Sequence, residues 1–518
     1  MRKSRPDGAA LLVAAAFLVL GVWLAIRFQQ RINPDGISYL SVAQHVLAGR
    51  TTDAVNGYWG PLLSWLMVPA LAAGAAPLVA ARLVGLASGL LALWGARRLA
   101  ATAGLGRGAT VALLLALTPA LAVGATVAVT PDLLFLGLWL HYLALVHRPG
   151  FGSQRADAPV AGLLGALGYL AKPYGFYAFA LHFLLCCLWR LATAAAPARR
   201  RVLATTAVGF AVFAICAAPW IAALGAKYGG LPISTSGPYN RALFGPASQG
   251  QPLEHLGFVP PPGEFATSAW EDPTGLPLAT WSPFDGAAAM RHQLKLSADN
   301  ARRLLLAVAH ANYLGLLALP AAAFLVVRAR RRGSWLPEAY LIAAMVVYPA
   351  GYLLVRVEPR YVWVSVVAGI VATMLTAERL ARGRGRLATA AVLAAAVLGC
   401  WVEPARTLRA GDAQTPVVSA TVAALSADVA PGARLAADGR WIESLAVAYR
   451  LGARFHGVRG GLDAAAAERG LADQGVEWYL DWSRDGAGAP PGPGWSLFGP
   501  AAARGGPRIW RASAGVTP

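Results

Sequence analysis

A chain of 518 residues that is 57% hydrophobic and 14% charged, with a mean hydropathy of +0.51, reads as an integral membrane protein with several spans. The formal net charge of +20 does not point to nucleic acid, because the arginines cluster between apolar runs, where orientation in the bilayer accounts for them. Cys186, Cys187, Cys216 and Cys400 lie in or beside apolar runs without metal-ligand spacing, so no disulfide framework is expected and the thiols are expected to pack as small hydrophobes.

The first apolar run, residues 9–26, follows Arg2, Lys3 and Arg5, which places the N-terminus in the cytoplasm. It is too long for a signal-peptide core and ends in Ile26-Arg27-Phe28 rather than a cleavage pattern, so it is expected to stay as an anchor. Asn33-Pro34-Asp35-Gly36-Ile37-Ser38-Tyr39 then emerges on the outer face. The stretch from Gly60 to Pro77 is expected to lie at the surface, because as a span it would put Arg97 and Arg98 outside and invert every later basic cluster.

Spans are then expected at about 78–98, 108–128, 132–147, 159–171, 174–191, 203–226, 303–327, 336–355, 361–378 and 387–402, about eleven with the first. Their inner ends carry Arg148 and Arg155, Arg199 to Arg201, Arg328 with Arg330 to Arg332, and Arg379, Arg382, Arg384 and Arg386. With this sidedness Asp35, Asp132, Lys172, Glu358 and Arg360 share the outer face.

Two outer segments exceed simple connectors. Residues 227–302, with Pro260-Pro261-Pro262-Gly263 and several aromatics, read as an ordered loop over the membrane domain, a candidate lid. Residues 403–518 alternate strand-like 433–437 and 477–480 with helix-like 415–428, 441–451 and 463–474, a small α/β extracytoplasmic domain. It carries no nucleophile elbow, phosphate loop or metal pattern, which favours packing or acceptor docking. No internal repeat is evident, which weakens a transporter built from two related halves.

Asn33-Pro34-Asp35 through Tyr39, Ala43 and Gly49, followed by Gly57-Tyr58-Trp59-Gly60-Pro61-Leu62-Leu63, resembles the first outer loop of the GT-C superfamily of polytopic glycosyltransferases. The nearest likeness is to the branch of protein O-mannosyltransferases, the lipid A aminoarabinose transferase and the rhizobial lipid A core galacturonosyltransferases. Thr130-Pro131-Asp132, Leu170-Ala171-Lys172-Pro173 and Glu358-Pro359-Arg360-Tyr361 extend the resemblance over about residues 1–400.

The resemblance implies an α-helical, GT-C-like membrane domain over residues 1–402, including a first outer loop at 29–77 with surface helices. It implies a polyprenyl-phosphate-linked sugar as donor and Asp35 as catalytic base. The residues support that role directly. An acceptor hydroxyl must lose a proton as it attacks the anomeric carbon, and a partly desolvated carboxylate accepts it. Because the leaving group is a phosphate, cations such as Lys172 and Arg360 replace a general acid.

Other roles stay open at each position. Asp35 and Asp132 each stand where they could cap a helix. Asp132 otherwise orients the acceptor or, with Asp35, holds a divalent cation. Lys172 pairs with a carboxylate or phosphate, or snorkels to the headgroups. Arg356, Glu358 and Arg360 could form a structural ion network, with Arg360 otherwise touching phosphate. Tyr39, Tyr58 and Trp59 stack on substrate or anchor at the interface. His45 and His310 read as isolated, and no His-based metal centre is expected. The aminoarabinose transferase carries a Lys shortly before its Tyr-Trp pair, whereas Asn56-Gly57 precede Tyr58 here, leaving Arg31 or Arg50 as substitutes.

The expected function is inverting transfer of a sugar from a polyprenyl phosphate to a lipid, glycan or protein acceptor at the outer face of a bacterial inner membrane. A lipid-linked sugar flippase and a surface-polysaccharide polymerase or ligase are the alternatives.

Overall fold

The computed structural model describes residues 8–311, 317–332, 336–381, 386–483, 491–499 and 505–513. The basic flank Arg2, Lys3 and Arg5, together with Arg382 and Arg384, lies outside the described residues.

The charge-free run after Gly8 forms the helix Gly8–Arg27, whose 20 residues give about 30 Å, the thickness of a hydrocarbon core. Leu12, Val19 and Ile26 face outward on it while Phe17 and Leu24 are buried, the arrangement of a span with one face on protein and the rest on lipid. Seven described helices are long and apolar enough to cross a membrane: Gly8–Arg27, Pro77–Ala103, Arg107–Thr126, Tyr174–Thr193, Ala196–Tyr228, Pro359–Ala381 and Ala390–Leu425. The chain is a multi-pass membrane protein.

Four further apolar helices among the described residues are shorter: Pro61–Ala72, Asp132–Val146, Asp157–Ala171 and Glu338–Leu353. The 12 residues of Pro61–Ala72 reach only about 18 Å, too short to cross, and the helix packs on Pro34–Leu47. Of the span expected at 303–327, the described parts are helical, in the amphipathic helix Ala287–Ala311 and in Ala318–Arg332, and residues 312–316 between them lie outside the described part. The one expected at 336–355 divides into Leu336–Val347 and Ala350–Leu353 at Pro349, which lacks the N–H that would continue the helix.

Arg386–Ala410 carries the chain past residue 403 to the helix Gln414–Leu425 and a five-stranded sheet. Its strands are β1 (Arg434–Ala437), β2 (Arg454–Val458), β3 (Trp478–Asp481), β4 (Trp495–Leu497) and β5 (Arg508–Ala512), in the order β2-β1-β3-β5-β4. Helices Trp441–Leu451 and Ala464–Asp473 make the crossovers that parallel pairing of β1 with β2 and β3 requires. Asp463 starts the second crossover by accepting a hydrogen bond from the Ala466 N–H at 2.7 Å. Two of the five strands match the strand-like stretches of the sequence. The others carry Arg, His or Ser among their apolar residues, and pairing alone reveals them.

Residues 227–302 form a layer fastened on both sides. Toward the sheet, the Val259 N–H donates to the His456 carbonyl at 2.8 Å and the Phe455 N–H donates to the Thr267 carbonyl at 2.7 Å. Toward the membrane helices, Trp270 and Glu271 reach the first loop.

Candidate active site around Asp35 and Asp132

The helix Pro34–Leu47 starts on Pro34, whose fixed φ suits a first helical position. Asn33 precedes it in extended conformation, but its side chain does not cap the helix. Instead Asn33 Oδ1 accepts from the Val129 N–H at 2.8 Å and Nδ2 donates to the Val129 carbonyl at 3.4 Å. Gly36 permits that approach, since a Cβ there would stand 2.8 Å from both Asn33 Oδ1 and Val129 Cβ. The first loop is thereby locked to the turn before Asp132.

Neither aspartate caps its helix. Asp35 Oδ2 accepts from Arg360 Nη1 at 2.8 Å, and Oδ1 accepts from Trp270 Nε1 at 3.3 Å. Asp132, 4% exposed, accepts from Lys172 Nζ at 2.6 Å through Oδ1, while Arg360 Nη1 stands 3.8 Å from Oδ2. Both carboxylates occupy first turns, where the helix dipole favours negative charge.

Lys172 lies in the break between Asp157–Ala171 and Tyr174–Thr193. Pro173 forces the residue before it out of helical conformation, and Lys172 has φ −147° and ψ 121°. Gly60 packs directly on this break: a Cβ there would meet the Ala171 carbonyl at 2.6 Å. The Lys172 ammonium does not snorkel. It is held by Asp132 and stands 3.8 Å above the Tyr361 ring and 5.3 Å from that of Tyr352. Burial draws its pKa below the ordinary lysine value, against the opposing pull of Asp132.

Arg360, in the turn Pro359–Val362, bridges the set, with Nε donating to Glu358 Oε2 at 3.1 Å. Two of its five N–H donors thus hold carboxylates, leaving three for a ligand. Arg356 stands apart over the Phe244 ring at 5.0 Å. Nor do the proposed substitute cations reach the cluster: Arg31 donates to the Gly411 carbonyl and Arg50 lies on the Phe265 ring.

An aromatic wall adjoins the carboxylates. The Tyr39 ring is 5.2 Å from Trp59, which is 4.5 Å from Tyr58 and 5.7 Å from Trp270. Burial first, and then the Asp35 charge, push the Tyr39 phenol well above its usual range, so it stays protonated and is no base. Asn56 is structural: its Oδ1 accepts from the N–H groups of Tyr58 and Trp59, and its Nδ2 donates to the Glu271 carbonyl at 2.6 Å.

Trp270, Glu271, Tyr361 and His45 were not singled out as site residues by their sequence context. His45 is not isolated, because its Nε2 lies 2.6 Å from Glu271 Oε1 with both side chains buried. Trp59 Nε1 donates to the carbonyls of Trp270 and Glu271, and Ser38 Oγ donates to that of Trp270. Only Tyr361 carried a signal, its place beside Arg360. The pairing of residues 270 and 271 with the first loop spans more than two hundred positions and leaves no local pattern.

A divalent cation between Asp35 and Asp132 would lie against Arg360 and Lys172, a donor set already matched to two cations. The expectation of no His-based cluster is corrected elsewhere: His147, His182 and Cys186, all buried, hold ligand atoms within 4.8 Å of one another, a set able to hold a metal ion. His147 ends one helix while the other two belong to the next, so their spacing in the chain conceals the grouping.

No family model and no curated protein matches this sequence. Solved structures do. ArnT from Cupriavidus metallidurans bound to undecaprenyl phosphate has 15% identity and a TM-score of 0.59, with 99% of this chain and 100% of that one covered. Its apo state has 16% identity and a TM-score of 0.57, covering 99% of each chain. The apo Archaeoglobus fulgidus oligosaccharyltransferase has 14% identity and a TM-score of 0.59, over 91% of this chain and 69% of that one. The chain therefore has the GT-C fold that its sequence motifs resemble, with a small sheet domain at its C-terminus.

Proposed function

We propose that this protein is a membrane glycosyltransferase that moves a sugar from a polyprenyl phosphate to an acceptor hydroxyl, with inversion, at the outer face of the inner membrane. The observation that carries the reading is the cluster Asp35, Arg360, Asp132 and Lys172. It pairs a proton acceptor with cations suited to a phosphate, in a chain that shares its fold end to end with a protein solved with undecaprenyl phosphate.

In this reading Asp35 takes the proton of the acceptor hydroxyl as its oxygen bonds to the anomeric carbon. The bond from that carbon to the phosphate oxygen breaks, and its electron pair leaves with the phosphate. Arg360, through its three remaining N–H donors, and Lys172 stabilise that charge, so no general acid is needed. Asp132 keeps Lys172 protonated and in place. Tyr39, Tyr58 and Trp59 form the apolar wall for sugar or prenyl carbon. Glu358 orients Arg360.

The test is turnover of a polyprenyl-phosphate-linked sugar by the purified chain, with the anomeric configuration of the product read by NMR. A retained configuration, or no consumption of any polyprenyl-linked sugar offered with lipid, glycan and peptide acceptors, refutes the reading.

A further inference from the structure

An open cavity of about 670 Å³ lies between the helix Pro34–Leu47 and the sheet domain. It is separate from the carboxylate cluster. Asp35 stands in the first turn of that helix and His45, which lines the cavity, in the last, about 15 Å further along.

Three guanidinium groups line the cavity from two directions: Arg50 from the first loop, and Arg450 and Arg454 from the end of helix Trp441–Leu451 and the start of β2. Among the described residues none of them is ion-paired with a carboxylate. Arg50 lies 3.5 Å from the Phe265 ring centre, Arg450 donates to Ser419 Oγ at 2.8 Å, and Arg454 donates to the Gly263 carbonyl at 2.9 Å. Glu264 is the single carboxylate in the described lining. Three buried polar atoms of lining residues, His45 Nδ1, Tyr449 Oη and Arg454 Nε, have no hydrogen-bond partner among the described residues. Cations gathered without matching anions, beside unsatisfied polar atoms, make a receptor for an anionic oxygen ligand.

The remaining wall says which kind. Leu78 and the half-exposed Val79 come from the first turn of the span Pro77–Ala103, and Gln29 and Gln30 follow the last turn of the span Gly8–Arg27. Opposite ends of two membrane-crossing helices meet here, which sets the cavity at the level where lipid headgroups lie. We propose that this cavity binds the phosphate-bearing headgroup of an anionic membrane lipid, the guanidinium groups holding the phosphate and the Leu78–Val79 edge facing the first carbons of the chains. The inference does not depend on glycosyl transfer.

The full chain is reconstituted in phosphatidylcholine nanodiscs containing a minor fraction of phosphatidylglycerol, and the lipid that co-elutes after release is counted by native mass spectrometry. The wild type should retain phosphatidylglycerol in preference to phosphatidylcholine. Arg50→Gln with Arg450→Gln should lower that retention by about tenfold or more, as expected for losing charged hydrogen-bond donors. Val79→Glu, which removes no cation but puts a negative charge at the mouth, should lower it as well and carries the test if the double variant does not fold. Arg469→Gln, exposed on the far helix Ala464–Asp473, should not. Equal retention of the two lipids by the wild type, or retention unchanged in the variants that fold, overturns the proposal. Displacement of the lipid by millimolar inorganic phosphate overturns it too, and assigns a soluble anion instead.

Discussion

Arg360 Nη1 lies 2.8 Å from Asp35 Oδ2, an ion pair between residues 325 positions apart that joins the first loop to the last part of the membrane domain. Through the same guanidinium, 3.8 Å from Asp132, the two aspartates become one electrostatic unit. Removing any member therefore disturbs the others, and the predictions below separate chemistry from folding.

Asp35→Asn keeps the shape of the side chain and can still face Arg360, but cannot take a proton. Turnover is expected to fall by at least about a hundredfold with little change in thermal stability, the loss expected for a general base. Near-normal turnover in the purified variant would remove Asp35 from the base role.

Lys172→Met leaves the buried Asp132 carboxylate without its nearest cation, so stability should drop by about 3 kcal/mol, together with most activity. Lys172→Arg should retain part of the activity, since the charge persists while reach and geometry change. Combining Lys172→Met with Asp132→Asn removes both charges and should recover much of the stability but none of the turnover. Recovery of turnover in the double variant would make the pair purely structural. Unfolding temperatures in detergent, measured beside turnover, decide.

Trp270→Phe preserves most of the aromatic packing against Tyr58 and Trp59 while deleting the N–H that meets Asp35. The expected outcome is a loss of about tenfold or more in kcat with KM nearly constant, on the scale of one hydrogen bond to a charged group. An effect confined to KM would make Trp270 a substrate-binding surface instead.

With the N-terminus in the cytoplasm, as the basic flank of the first span leads us to expect, the surface placement of Pro61–Ala72 should put residue 52 outside and residue 108 inside. In a Cys216→Ser background, Thr52→Cys should react with a membrane-impermeant thiol reagent in intact cells and Gly108→Cys should not; both positions are exposed. The reverse pattern would place Asp35 in the cytoplasm.

His456 of β2 is 4% exposed, and burial, helped by Arg454 and Arg434, pulls its pKa from 6.5 down to about 4. Its folded pKa lies below the unfolded one, so the unfolded chain binds the proton first. Stability of the sheet domain should fall as pH drops from about 6.5 to about 4, by on the order of 3 kcal/mol, and level off below. Hydrogen exchange across β2 should accelerate over that interval in the wild type and not in His456→Asn. Equal acceleration in both would show that another group is responsible.

Composition and periodicity determined much by themselves. A predominantly apolar run of about twenty residues must become a helix in lipid, because no other conformation of a single run satisfies its backbone there, and so the spans near 9–26, 78–98, 108–128, 174–191 and 203–226 were legible. The motifs holding Asp35, Asp132, Lys172 and Arg360 were legible for the same reason: an ionisable group beside an apolar run is costly without a partner. What the sequence could not contain was the identity of each partner. That Lys172 chooses Asp132, that Arg360 bridges two loops, and that Trp270 and the His45–Glu271 pair close over the first helix all depend on contacts between distant segments. Strands β2, β4 and β5 were hidden likewise, since their Arg, His and Ser residues interrupt an apolar pattern and it is their neighbours in the sheet that hold them extended. Local chemistry wrote the spans and the charged residues, and only tertiary packing decided which charges face one another.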